Sequence, residues 1–134
     1  MYMLMREQLV LDQGYWPDTG MTPPGPQSLK TDIELSKAMG FNGCRKHQKI
    51  EDPVFLYWAD KLGFLVWGEM ANGYQYSKDY VDRFDQEWTE GVRRDLNHPC
   101  IVTWTPVNET WGYPALKDDV EQQNHLRSLY YLTK

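Results

Sequence analysis

Apolar residues fall in four short, nearly continuous runs along the chain: Leu9-Val10-Leu11, Phe41 to Cys44, Phe64 to Trp67, and Ile101 to Val107. Runs of this length without polar alternation are expected of strands covered on both faces. Between them, apolar positions recur at three- and four-residue steps, the spacing that collects side chains on one face of a helix. The clearest helix follows Asp52, a good N-cap. Pro53 suits its first position, Phe55, Ala59 and Leu62 share a face, and Gly63 ends it. A longer helix spans Lys78 to Leu96, striped by Val81, Phe84, Trp88, Val92 and Leu96 and terminated by Asn97-His98-Pro99. Another follows the Pro/Gly-rich loop Thr22 to Pro26, with Ser28 as N-cap and Gly40 as stop. A weaker stripe of Leu116, Val120 and Leu129 predicts a fourth, from Ala115 to Leu132.

The order β-α-β-α-β-α-β-α with short connections implies one α/β domain over residues 1–134, its parallel strands joined by right-handed crossovers. Two architectures use this unit: an open four-stranded sheet, and a (β/α)4 half of a (β/α)8 barrel. The pattern alone leaves both open. In either, the residues just after each strand gather on one rim, where α/β proteins place their chemistry. Those segments are Asp12-Gln13-Gly14-Tyr15-Trp16, Arg45-Lys46-His47, Glu69-Met70-Ala71-Asn72 and Asn108-Glu109-Thr110-Trp111.

Composition narrows the function classes. With 41% hydrophobic and 14% aromatic residues, 134 residues supply the core of one domain, though a complete barrel is typically about 250 residues long. A net charge of -5 without a Lys/Arg run argues against a nucleic-acid partner. Arg93-Arg94 is an isolated pair, expected to be solvated. No stretch approaches the roughly 18 apolar residues of a membrane span, and MYMLMREQLV is too short and too soon charged for a signal peptide. The chain as given is therefore expected to be soluble and cytoplasmic. Cys44 and Cys100 each sit in an apolar run, with no CxxC or Cys/His cluster of metal-ligand spacing, which predicts buried free thiols.

Glu109 is the residue on which candidate chemistry converges. An acidic residue at a strand end is commonly a solvated carboxylate or the partner of a nearby arginine. Here Trp104, Trp111 and Tyr113 flank it, and aromatic faces suit the apolar C–H faces of a sugar ring. Core packing is the expected role of Trp104.

The stretch Arg94-Asp95-Leu96-Asn97-His98-Pro99-Cys100-Ile101-Val102-Thr103-Trp104, leading into Asn108-Glu109-Thr110-Trp111-Gly112, resembles the signature around the acid/base glutamate of family 2 glycoside hydrolases. That family includes β-galactosidases, β-glucuronidases and β-mannosidases. Phe41-Asn42-Gly43-Cys44-Arg45-Lys46-His47 is similar to its second barrel strand with the active-site Arg and His. Leu62 to Glu69 is similar to its helix-to-third-strand segment. The resemblance covers about Val10 to Gly112 and implies the N-terminal half of a catalytic TIM barrel.

It also implies roles. Glu109 would be the acid/base of a retaining mechanism, in which a second carboxyl about 5 to 5.5 Å away attacks the anomeric carbon. A raised pKa, from burial or a neighbouring carboxylate, would suit Glu109 to that task. Asn108 would hydrogen-bond the sugar 2-OH, and Arg45 and His47 would position the sugar and the second carboxylate. Asp12 on the rim and Trp111 as an aromatic face complete the expected substrate-binding set.

The family's nucleophile lies at the end of barrel strand 7, and only 25 residues follow Glu109. The nucleophile segment is therefore expected to be absent, as are the sugar-binding and immunoglobulin-like domains that normally precede the barrel. Some relatives use magnesium and carry a carboxylate and a nearby His after strand 3. Glu69 has no His close behind it, so no metal is expected, and no other cofactor is implied. A half barrel leaves two strand edges open, which predicts a homodimer closing eight strands about a two-fold axis. The mate's strand 3 would then take the place of strand 7, setting its Glu69 near the missing nucleophile as a partner carboxylate to Glu109; the alternative is that Glu69 pairs with Arg45 or lines the pocket.

Overall fold

A computed structural model describes residues 6–134. Four strands, β1 (Leu9–Asp12), β2 (Gly43–Lys46), β3 (Leu65–Glu69) and β4 (Ile101–Thr105), alternate with four helices, α1 (Pro26–Ala38), α2 (Pro53–Leu62), α3 (Lys78–Asp95) and α4 (Val120–Thr133). The strands form one parallel sheet in the order β1-β2-β3-β4, the arrangement of half a (β/α)8 barrel. The first five residues, half of the opening segment read for a signal peptide, lie outside the described residues. Among the described residues, no helix is long and apolar enough to cross a membrane.

The register divides the sheet into two faces, because residues paired across parallel strands point the same way. Val10, Cys44, Val66 and Ile101 share one face. They form a core with Leu29 and Ile33 of α1 and Phe55, Leu56 and Ala59 of α2. Trp104, paired with Gly68, points the same way and packs with Phe84 and Trp88 of α3 and Leu126 and Leu129 of α4. Its ring meets Trp88 edge-on at 5.6 Å, so Trp104 is a packing residue as expected. The opposite face carries Leu11, Arg45, Trp67 and Thr103, and beyond them Glu69 and Thr105. Leu11 there is 59% exposed.

Helix α2 follows its sequence signals. The Asp52 carboxylate accepts from Val54 N, Pro53 takes the first position, and Gly63 closes the helix in the left-handed conformation at φ 62°. Helix α3 matches in extent and gains a cap from Ser77, whose hydroxyl accepts from Tyr80 N. Its stripe ends before Leu96, which lies past the last turn and is exposed.

Among the boundaries that differ from expectation, three have a clear local cause. Helix α1 begins at Pro26, so Ser28 lies inside its first turn rather than at the cap, because proline's fixed φ is already helical. Strand β2 begins two residues later than the apolar run suggests. Asn42 is taken up with Gln8 N and Arg6 O, while Arg45 and Lys46 enter the strand because each finds a carboxylate. Helix α4 begins only at Val120, where Asp119 accepts from Glu121 N and Gln122 N. Its buried face is Gln122, His125 and Leu129, and Val120 is exposed.

Both cysteines are free and buried. Burial pushes the Cys44 thiol up to about 12.

Candidate active site

Strand alternation decides which rim residues meet. Arg45 and Glu69 stand on the helix-free face, and Glu69 is 1% exposed. Arg45 Nε donates to Glu69 Oε2 at 2.7 Å, and Arg45 Nη2 donates to the Asn108 side-chain oxygen, also at 2.7 Å. One guanidinium fork thus ties β3 to the segment after β4. The second Glu69 oxygen accepts the backbone N–H of Gln48 at 3.0 Å. The arginine also lies 5.3 Å from the centre of the Trp67 ring, and the indole N–H of Trp67 donates to the Thr105 hydroxyl.

Beside this ion pair opens a pocket of about 240 Å³ lined by His47, Gln48, Tyr74, Asn108, Glu109 and Trp111. Asn108 is buried, whereas Glu109 and Trp111 are exposed. The burial expected around Glu109 is therefore not supplied by these residues. Trp111 meets Tyr74 edge-on at 5.9 Å, and Tyr74 is itself exposed, so the two present a paired aromatic wall. His47 Nδ1 is held at 2.9 Å from the Gln13 side-chain amide.

Glu109 has φ 55°, in the left-handed region. For a residue other than glycine this costs on the order of 1 kcal/mol or more, and such strain persists only where the surroundings over-determine it. Gln48, on the same pocket, has φ 54°.

Three residues expected at the rim or beside Glu109 take other positions. Asp12 pairs in register with Lys46, on the face that carries the helices. Its carboxylate accepts from Gly14 N at 2.7 Å and from Lys46 Nζ at 2.5 Å, so the structure does not bring Asp12 into the pocket. Lys46 is 1% exposed and sits 4.0 Å from the Phe55 ring centre and 2.8 Å from Glu51 Oε2. The last contact is a charge contact rather than an aligned hydrogen bond. Tyr113, expected to flank Glu109, is 1% exposed and belongs to the interior, its hydroxyl 2.9 Å from His125 Nδ1.

Two further sequence expectations change. Arg94 is not simply solvated: it reaches both Asp95 oxygens and the Glu51 carbonyl. The fold also gathers Asp60, His98 and Cys100 within 4.8 Å, a grouping their spacing did not reveal. There Asp60 accepts from Cys100 N at 2.9 Å and faces His98 Nδ1 at 2.6 Å. Both carboxylate oxygens are thereby used, and the cluster fastens α2 to the start of β4.

Sequence reasoning missed Gln48, Tyr74 and the Asn72–Tyr80 pair. Asn72 Nδ2 donates to the Asn108 carbonyl at 3.2 Å and Tyr80 Oη donates to Asn72 Oδ1 at 2.7 Å. The rim position of Asn72 after β3 was the only available signal.

No family model matches the chain. A β-galactosidase of Yersinia enterocolitica is 32% identical over 101 residues, covering 69% of this chain and 10% of that protein. A β-glucuronidase of Bacteroides uniformis superposes with a TM-score of 0.83 at 20% identity, over 96% of this chain and 17% of that one. The GH2 β-galacturonidase of Eisenbergiella tayi, solved with galacturonate bound, gives 0.78 at 25% identity, over 92% of this chain and 22% of that one. The chain belongs to glycoside hydrolase family 2. It spans 9–12% of the length of the curated relatives it matches first. The family 2 relatedness therefore concerns a part of those proteins' length.

Proposed function

We propose that the chain carries the acid/base half of a retaining β-glycosidase site, with Glu109 protonating the leaving oxygen of a β-linked glycoside. The observation that carries this reading is the joint placement of Asn108 and Glu109. Asn108 is buried and gripped by Arg45, and Glu109 opens beside it into a pocket walled by Trp111 and Tyr74. In this reading Asn108 faces the sugar 2-OH, Arg45 and His47 orient the ring, and Trp111 supplies a stacking face.

Retaining hydrolysis needs a second carboxyl about 5 to 5.5 Å from the first. Closure of eight strands by a second copy is the arrangement we favour, because β1 and β4 are both sheet edges and Leu11 is exposed on the helix-free face. The mate's Glu69 would then serve as the second carboxylate. Retention of full turnover by a dimer carrying Glu69→Gln would remove that role.

A second reading is a domain that binds carbohydrate weakly and turns nothing over. It is favoured by the Arg45–Glu69 pair, which already occupies Glu69 within its own chain. Hydrolysis of aryl β-glycosides by the wild-type chain and by Glu109→Gln separates the two: the glycosidase reading expects turnover that the variant loses, and the binding reading expects none in either.

A further inference from the structure

We infer that Asn72 and Tyr80 are positioning residues that clamp the segment Asn108–Gly112 and hold Glu109 in its left-handed conformation. The catalytic meaning of this clamp rests on the glycosidase reading; its structural content does not.

Glu109 at φ 55° needs neighbours that fix it. The peptide immediately before it is fixed by Asn72, whose Nδ2 donates to the Asn108 carbonyl. Asn72 is itself held at both side chain and backbone. Its Oδ1 accepts from the Tyr80 hydroxyl, which leaves Nδ2 as the group facing Asn108, and its backbone N–H donates to the Gln48 side-chain oxygen at 3.2 Å. The far end of the segment returns to the same two residues. A Cβ placed on Gly112 would stand 2.7 Å from Asn72 Oδ1 and 2.9 Å from Tyr80 Oη, so only glycine lets the chain pass so close. One hydrogen-bonded pair therefore touches the segment at both ends, with Glu109 and Trp111 between.

The clamp has a firm base. Tyr80 lies in the first turn of α3, its ring against Phe84 and Tyr113. Tyr113, the residue after Gly112, is anchored through His125, whose Nε2 lies 2.8 Å from Asp85 Oδ1 on α3. Among the described residues, Asn72 is the single side chain that carries this support to the Asn108 carbonyl. Reacting groups tolerate little misplacement, so loosening the clamp acts on the rate through Glu109 without touching the sugar.

The test uses isotopically labelled full-length chain and reads the sign of φ at Glu109 from its HN–Hα coupling and intraresidue NOE. Positive φ is expected in the wild type and is lost in Asn72→Ala, in Tyr80→Phe and in Gly112→Ala, while resonances of α1 and α2 stay in place. Tyr80→Phe removes a single hydroxyl, so it keeps the test open should Asn72→Ala fail to fold. On an aryl β-glycoside, kcat falls roughly tenfold or more in Tyr80→Phe while KM stays within about twofold, the split expected of lost positioning. A wild type without turnover counts against the glycosidase reading, and the φ measurement still decides the clamp. A Glu109 that keeps positive φ in Tyr80→Phe or in a folded Asn72→Ala, or lacks it in the wild type, overturns the inference.

Discussion

Arg45 and Glu69 form an ion pair at 2.7 Å in which the carboxylate is wholly buried and the guanidinium only one-third exposed. Removing one partner leaves the other charge uncompensated, which costs far more than the pair contributes. Arg45→Ala is therefore expected to destabilise the chain by about 3 kcal/mol, offset in part by the Gln48 N–H that Glu69 keeps. Arg45→Met combined with Glu69→Leu is expected to cost less than Arg45→Ala alone. Denaturant unfolding of the three proteins checks the order.

The buried network of Lys46, Asp12 and Glu51 predicts a stability plateau bounded by pH. Burial alone would raise the Glu51 carboxyl, but the Lys46 ammonium, the Asp52 N–H and Lys49 together outweigh it and hold the group below its ordinary value. Burial alone would lower Lys46, but Asp12 and Glu51 outweigh that and hold it above its ordinary value. The Glu51 contribution is complete above the ordinary carboxylate value near 4.5 and is lost as pH falls through the lowered folded value. The Lys46 contribution is complete below 10.5 and is lost as pH rises through the raised folded value. Unfolding midpoints across pH should fall on both sides. In Lys46→Met the alkaline fall should lessen but persist, because burial also raises the Cys44, Cys100, Tyr80 and Tyr113 side chains, and the acid fall should shrink, because Glu51 then keeps Lys49 at 3.0 Å and the Asp52 N–H at 2.9 Å.

Helix α2 should be sensitive at both ends. Asp52→Ala removes the acceptor for Val54 N and is expected to cost about 1 kcal/mol. Gly63→Ala places a side chain at φ 62° and is expected to cost a similar amount, about 1 kcal/mol. Open space surrounds that Cβ, so the loss is conformational. Thermal unfolding of the two variants and their combination should show near-additive losses.

The legibility of this molecule follows how local its signals are. Helix α2 could be read because Asp52, Pro53 and Gly63 each act within one turn of their own position. Strand β2 was misplaced because Arg45 and Lys46 are polar. They become strand residues only through Glu69 and Asp12, partners far along the chain. The same applies to the site. Glu109 stood out by its neighbours in sequence, and Asn108 and Arg45 by resemblance. The exclusion of Asp12 follows from the parity of β1, fixed only by pairing with β2. Tyr113 could not be assigned to the interior without His125 and Asp85. The clamp of Asn72 and Tyr80 joins β3, α3 and the segment after β4, so nothing in any one of these stretches marks it.

The most direct test of the central reading is the hydrolysis of aryl β-glucuronide and β-galactoside by the full chain over a range of concentrations, beside Glu109→Gln. Turnover per chain should rise with concentration as eight strands close, and the variant should lose on the order of 100-fold or more, the share expected of a general acid/base. Equal rates in the two proteins, or no turnover at any concentration, would contradict it.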